Sequence, residues 1–189
     1  MRARITTTAL ALALLSGGAH AQSGGYFDFT QVPGLGDHPQ VQIDLNSAML
    51  GFLRAAMGSS DPEVANAFTG IDNVRVLVYD VLEDPAAVLG FVEDSSGKLE
   101  AAGWQRLVYV EDEGDKVRIY AKLEGQRMVG MTVMVVSADE GSGQTAEPGD
   151  AVFINIAGDI DPAKLGQIAT AVGVDGVLDA AAEANPAGQ

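Results

Sequence analysis

The run WQRLVYVEDEGDKVRIYAKLEGQRMVGMTVMVVS, residues 104–137, decides the fold. It holds three stretches rich in β-branched and aromatic residues: Trp104 to Asp112, Lys116 to Glu124 and Arg127 to Ser137. The links between them, Glu113-Gly114-Asp115 and Gly125-Gln126, are hairpin-sized, so the three strands must pair antiparallel in chain order. Side chains alternate across a strand. In the second strand Val117, Ile119, Ala121 and Leu123 point one way, toward helices, and Lys116, Arg118, Tyr120, Lys122 and Glu124 the other. The third strand is apolar on both sides, with Met128, Met134 and Val136 on one and Val129, Met131, Val133 and Val135 on the other. Either another part of the chain covers its outer side or it forms a contact surface, for which methionine is well suited.

Upstream of the meander, Val74-Arg75-Val76-Leu77-Val78-Tyr79 is the clearest further strand, expected inside the sheet because it is β-branched and nearly uncharged. Val41-Gln42-Ile43-Asp44-Leu45 and Val152-Phe153-Ile154-Asn155-Ile156 read as strands too. Between them lie helical patterns. Asn46 or Ser47 caps the first, whose Met49, Leu50, Phe52, Leu53, Ala56 and Met57 form one broad apolar face ending near Gly58. Three others open on the same dipeptide: Asp61-Pro62, Asp84-Pro85 and Asp161-Pro162. The aspartate accepts from free N–H groups at a helix start, and proline supplies a suitable φ where its missing N–H costs nothing. The inner residues are Val64, Ala67 and Phe68, then Val88, Leu89, Val92 and Leu99, then Leu165, Ile168, Ala169 and Val172. Ser95-Ser96-Gly97 weakens the middle of the third helix, and Gly103 ends it. Blocks of helices and antiparallel strands predict an α+β fold, with helices packed on one face of a five- or six-stranded, mostly antiparallel sheet.

The chain begins with a short positive stretch (Arg2, Arg4), an apolar run from Ile5 to Leu15 and a small-residue exit, Ala19-His20-Ala21. That order predicts a secretory signal peptide over residues 1–21, cleaved before Gln22, and a periplasmic or secreted product. The run is shorter than the ~20 residues a spanning helix needs. Beyond it are expected an irregular lead-in over 22–40 with Tyr26, Phe27 and Phe29 available to pack, a single domain over 41–173, and a weakly helical or frayed tail over 174–189. Ala138 to Gly149 reads as a loop. Removing the two signal arginines leaves 9 basic against 26 acidic residues, a formal charge of −17. Such a surface repels nucleic acid and anionic membranes. With no cysteine there is no disulfide, thiol chemistry or lipoprotein anchor.

The segments Val74 to Tyr79, Trp104 to Val110 and, most specifically, Phe153-Ile154-Asn155-Ile156-Ala157-Gly158-Asp159-Ile160-Asp161-Pro162 resemble an exported bacterial family catalogued as domain of unknown function 4252. The resemblance spans Val41 to Val172 and implies an α+β envelope protein, with no catalytic or binding residues to carry over.

Chemistry must be sought in the residues themselves. The sequence contains no G-x-S-x-G, phosphate loop, H-E-x-x-H or G-x-G-x-x-G. His38, the only histidine beyond the signal, sits in a Gly/Pro-rich lead-in, a poor place for a general base. Glu111-Asp112-Glu113-Gly114-Asp115 lacks the terminal glutamate of an EF-hand loop and reads as a wet hairpin tip; Asp139, Glu140 and Glu147 are less specific still. No catalytic residue, metal or cofactor is indicated.

The pattern that stands out is basic. Five of the nine cations beyond the signal lie on or beside the meander, from Arg106 to Arg127. If the helices leave one sheet face open, that face carries Arg75, Arg106, Lys116, Arg118 and Lys122 interleaved with Tyr79 and Tyr120. Forked guanidinium donors and amphipathic tyrosines suit an anionic small molecule or a protein partner. The expected function is a non-catalytic exported envelope protein binding a partner through that face. The alternatives are a metal-assisted hydrolase using acidic residues and a structural subunit that self-associates through its strands.

Overall fold

The computed structural model describes residues 24–29, 35, 38–80, 85–112, 115–137 and 150–172. The expected signal peptide, Asp84, Glu113, Gly114, the loop 138–149 and the tail from 174 lie outside the described residues. The elements follow in the order β1 (Val41–Asn46), α1 (Ser47–Met57), α2 (Pro62–Ala67), β2 (Ile71–Asp80), α3 (Pro85–Ala101), β3 (Gln105–Asp112), β4 (Asp115–Glu124), β5 (Arg127–Val136), β6 (Asp150–Ile160), a 3-10 turn (Pro162–Lys164) and α4 (Leu165–Val172). No described helix is long and apolar enough to cross a membrane.

Local chemistry starts the helices as the sequence requires. The Asn46 side chain accepts from the N–H groups of Ala48 (3.1 Å) and Met49 (3.0 Å). Asp61 accepts from Val64 (3.1 Å) and Asp161 from Ala163 (3.0 Å). Ser95 and Ser96 do not break α3; both are buried against the sheet, where small side chains let the helix approach. Gly103 ends α3 with φ of 78°, a conformation most side chains resist.

The six strands form one sheet in the order β1-β2-β6-β5-β4-β3, every pair antiparallel. The α+β class and the antiparallel meander are those the sequence indicates. β2 lies inside the sheet, between β1 and β6. On one face α1, α2 and α4 close a core that joins Leu50, Phe68 and Ile168 to Val74, Val76, Val133, Ile154 and Ile156. The alternation in β4 holds, with Val117 and Ile119 on this side. Leu123 lies beyond a register shift and is exposed. Met128 also departs from expectation. A shift between Met128 and Gly130 turns it toward this first core rather than toward Met134 and Val136.

The reverse face is not open, and here the sequence expectation is corrected. A second core joins Val88, Val92 and Leu99 of α3 and Phe29 of the lead-in to Leu77, Tyr120, Met134, Val136 and Phe153. That sheet face carries too much apolar surface to remain wet, at roughly 25 cal/mol for each Å² withdrawn from water. The apolar outer side of β5 is therefore covered, by α3 and by the lead-in aromatics.

The lead-in is a strap laid across the sheet. Gly25 lies against the backbone of Val129 and Gly130, so closely that a Cβ on either glycine would overlap the opposite main chain. Asn155, fully buried on β6, holds it. Its Oδ1 accepts from Phe27 N–H (3.2 Å), and its Nδ2 donates to Gly25 C=O (3.3 Å), Met131 C=O (3.2 Å) and Thr132 Oγ1 (3.0 Å). Phe29 then lies 5.2 Å from the Phe153 ring and 5.1 Å from Phe27.

One helix is less buried than its pattern suggests. Of the apolar residues of α1 only Leu50 is fully buried. Met49 is 49% and Phe52 77% exposed. The helix lies over β1 and β2 with α2 beside it, and an apolar arc this wide exceeds what one such seat can cover.

Candidate functional site

The seven residues expected to form a binding face are brought to the reverse side of the sheet but not to a common open surface. Arg118 is the most altered by context. It is fully buried on β4, opposite Tyr109 of β3, with its Cζ 3.6 Å from the centre of the Tyr109 ring. One terminal nitrogen donates to the carbonyls of Val110 (2.5 Å) and Val117 (3.2 Å). The other reaches Glu93 of α3 (3.0 Å) and Glu111 of β3 (3.1 Å). Lys116 meets the same two carboxylates at 3.0 and 3.3 Å. Two cations and two anions thus cancel in a lock joining α3 to the meander.

The titration of the group reflects that closure. Glu111 receives the Tyr109 hydroxyl (2.6 Å) and the two cations, which hold its carboxyl down to about 2. Glu93 is also lowered, chiefly by its hydrogen bond from Lys116. Burial alone would lower Lys116, but Glu93 and Glu111 outweigh it and raise the ammonium above its ordinary value. Tyr109 is raised, first by its bond to Glu111. The buried Arg118 Nε has no hydrogen-bond partner, but with both terminal nitrogens engaged by carboxylates and carbonyls the arrangement offers an incoming anion little unpaired positive charge.

The other members are engaged likewise. Tyr120 is fully buried and donates to Glu100 of α3 (3.2 Å); burial pushes its hydroxyl up. Lys122 donates to the carbonyl of Ala102 at the end of α3. Arg75 forks onto Asp44 of β1 (2.6 Å) and Asp28 of the strap (3.1 Å), with the Tyr26 ring 5.9 Å away. Tyr79 is half-buried in the second core, 6.4 Å from Phe153, and burial raises it. Arg106, nearly half exposed, is the member most open to solvent; it lies 3.7 Å from Glu100 and 5.1 Å from the Tyr109 ring.

Several partners escaped the sequence reading. Glu93 and Glu100 lie seven residues apart on α3, a spacing that puts both on one helix face and is the signal that marks them as partners for a basic strand face. Phe27 and Phe29, spaced by two, carried the alternation of an extended segment with one buried side. Asn155 gave no local signal.

The surface the structure does leave open is different. Six large hydrophobic side chains are exposed among the described residues, and three of them, Val41, Met49 and Phe52, belong to β1 and α1. α1 contains no acidic residue, and Arg54 is its single charge, in a chain with 26 acids. A shallow cleft of about 440 Å³ between α2 and α4 is lined by Asp61, Glu63, Val64 and Gln167. Asp61 caps α2 there, and Glu63 accepts from Gln167 (2.7 Å). Among the described residues no three His, Asp or Glu side chains are grouped so as to hold a metal.

Fold and surface together define a single antiparallel sheet covered on both faces, with an apolar helix left at one edge. The chain belongs to the family described as Domain of unknown function (DUF4252), whose model matches residues 35–168. No curated protein and no solved structure matches it.

Proposed function

We propose that the protein is an exported, non-catalytic envelope component that works by binding another protein chain, and that α1 is its docking element. The observation that carries this is Phe52, 77% exposed on a helix without acidic residues. Net negative charge keeps most of the surface apart from other acidic chains, whereas α1 presents aromatic and thioether contact area that loses water favourably. The docking surface therefore moves from the basic sheet residues to α1, since those residues are spent on Glu93, Glu100, Glu111, Asp28 and Asp44. Export rests on the signal-peptide pattern of residues 1–21. No observation favours the hydrolase alternative.

The test is capture from envelope extract by immobilised chain lacking residues 1–21, beside the Phe52→Glu variant. The native chain is expected to retain a protein, a second copy of itself included, that the variant loses. Equal retention by both would remove α1 as the docking element.

A further inference from the structure

We infer that the partner docked at α1 is a second copy of this chain, joined through β1 as a twofold antiparallel strand pair. This rests on the reading of α1 as a protein-docking surface and specifies its occupant.

The two sheet edges differ. β3, at one end, is protected as edge strands usually are. Its pairing is interrupted between Arg106 and Val108, and Arg106 stands on it nearly half exposed. β1, at the other end, pairs with β2 over all six residues without a register shift and contains neither proline nor lysine. Its one charge, Asp44, is held by Arg75. A regular, effectively neutral edge is a template for another strand.

The register of β1 suits a twofold pair. The Val78 carbonyl accepts from Gln40 N–H, so the main-chain groups of Val78, Val76 and Val74 face β1. Their opposites Val41, Ile43 and Leu45 direct their own groups inward, which turns those of Gln42 and Asp44 to the outer edge, where no described strand pairs with them. A twofold axis at Ile43 uses both. It sets Gln42 against Asp44 of the second copy and Val41 against Leu45 of the second copy, amide beside carboxylate and apolar beside apolar. An axis at Asp44 would oppose two carboxylates.

A helix lies above the seam. α1 packs on β1 and β2, so the axis brings two acid-free helices side by side, with Met49 and Phe52 as the apolar material between them. One short strand and part of one helix fall below the ~800 Å² per partner of a standard interface. The dimer is accordingly concentration-dependent, with a dissociation constant on the order of 1–100 μM.

A cysteine-free chain allows a direct test of register. Directly opposed residues in such a pair have Cα atoms about 4.5–5.5 Å apart, within disulfide reach. Ile43→Cys is expected to form a cross-linked dimer on mild oxidation. Val41→Cys, whose counterpart lies roughly 13 Å away at four residues' displacement, is expected not to. Sedimentation of the unsubstituted chain is expected to show dimers that weaken at least tenfold with Phe52→Glu. It should show the same with Gln42→Pro, which removes an outer-edge donor and no β1–β2 bond. Cross-linking equal at both positions or absent at both, growth beyond dimers, or self-association indifferent to Phe52→Glu would overturn the inference. A chain monomeric at 500 μM that still captures a different protein through Phe52 would overturn it while leaving the docking role of α1 in place; loss of both would remove both.

Discussion

Replacing Phe29 by alanine tests whether the strap is part of the fold. The side chain is fully buried, and its ring lies against Phe27 and Phe153 at 5.1 and 5.2 Å. Removing it withdraws a ring from the second core and leaves a void beside Phe153. Substitutions of this kind in a tightly packed site cost about 3–5 kcal/mol. The strap is anchored immediately before the vacancy, by Asn155 at Phe27 and by Arg75 at Asp28, which limits its collapse into the space. A loss of about 3 kcal/mol is therefore expected, a large part of the roughly 5–15 kcal/mol that holds a domain folded. For a domain of this size it corresponds to a fall in Tm of roughly 6–12 °C. Urea titration of the chain lacking residues 1–21, followed by far-UV circular dichroism, measures it, with the slope unchanged. Tyr26→Ala, at a position only half-buried, is the control and should cost about 1 kcal/mol or less. A Phe29→Ala loss no larger than that of the control would show that the strap does not seal the second core.

Asn155→Asp removes the Nδ2 donor shared by three acceptors and buries a carboxylate among carbonyl oxygens. Thermal unfolding should show a loss of about 3 kcal/mol or more, with little loss refuting the clasp. Glu111, held to about 2 when folded, contributes stability that is fully present above its unfolded value of about 4.3 and is lost as pH falls toward 2. Glu111→Gln should flatten that part of a stability–pH curve, and an unchanged curve would show that the lock does not bind its proton in this way. Arg118→Met leaves Glu93 and Glu111 with Lys116 alone and removes the stacking on Tyr109. A loss of about 2–4 kcal/mol in chemical denaturation is expected, and a neutral result would reduce the lock to decoration. Asp161→Ala should cost about 1 kcal/mol by the same measurement.

What could be read from the sequence was what is local. The hairpins of β3, β4 and β5 follow from short links, and the caps at Asn46, Asp61 and Asp161 from residues acting on their near neighbours. Alternation in β4 correctly divided Ile119 from Arg118 and Tyr120. It could not say that the second set would be buried, because that depends on where α3 and residues 24–29 come to rest. Arg118 shows the difference most sharply. A guanidinium suggests an exposed face until two carboxylates, a carbonyl and a ring are supplied by other segments. Phe52 is the converse: an aromatic in a helical stripe suggests a core, and only the seat of α1 at the sheet edge leaves it exposed.

The strap also sets a timetable. Phe27 is bonded to a side chain 128 positions later, so the earliest described segment has no seat until β6 has been made. Closing so long a loop is slow, since its entropy is spent before any contact rewards it. A chain arranged this way seats residues 24–29 only on strands that are made long after them.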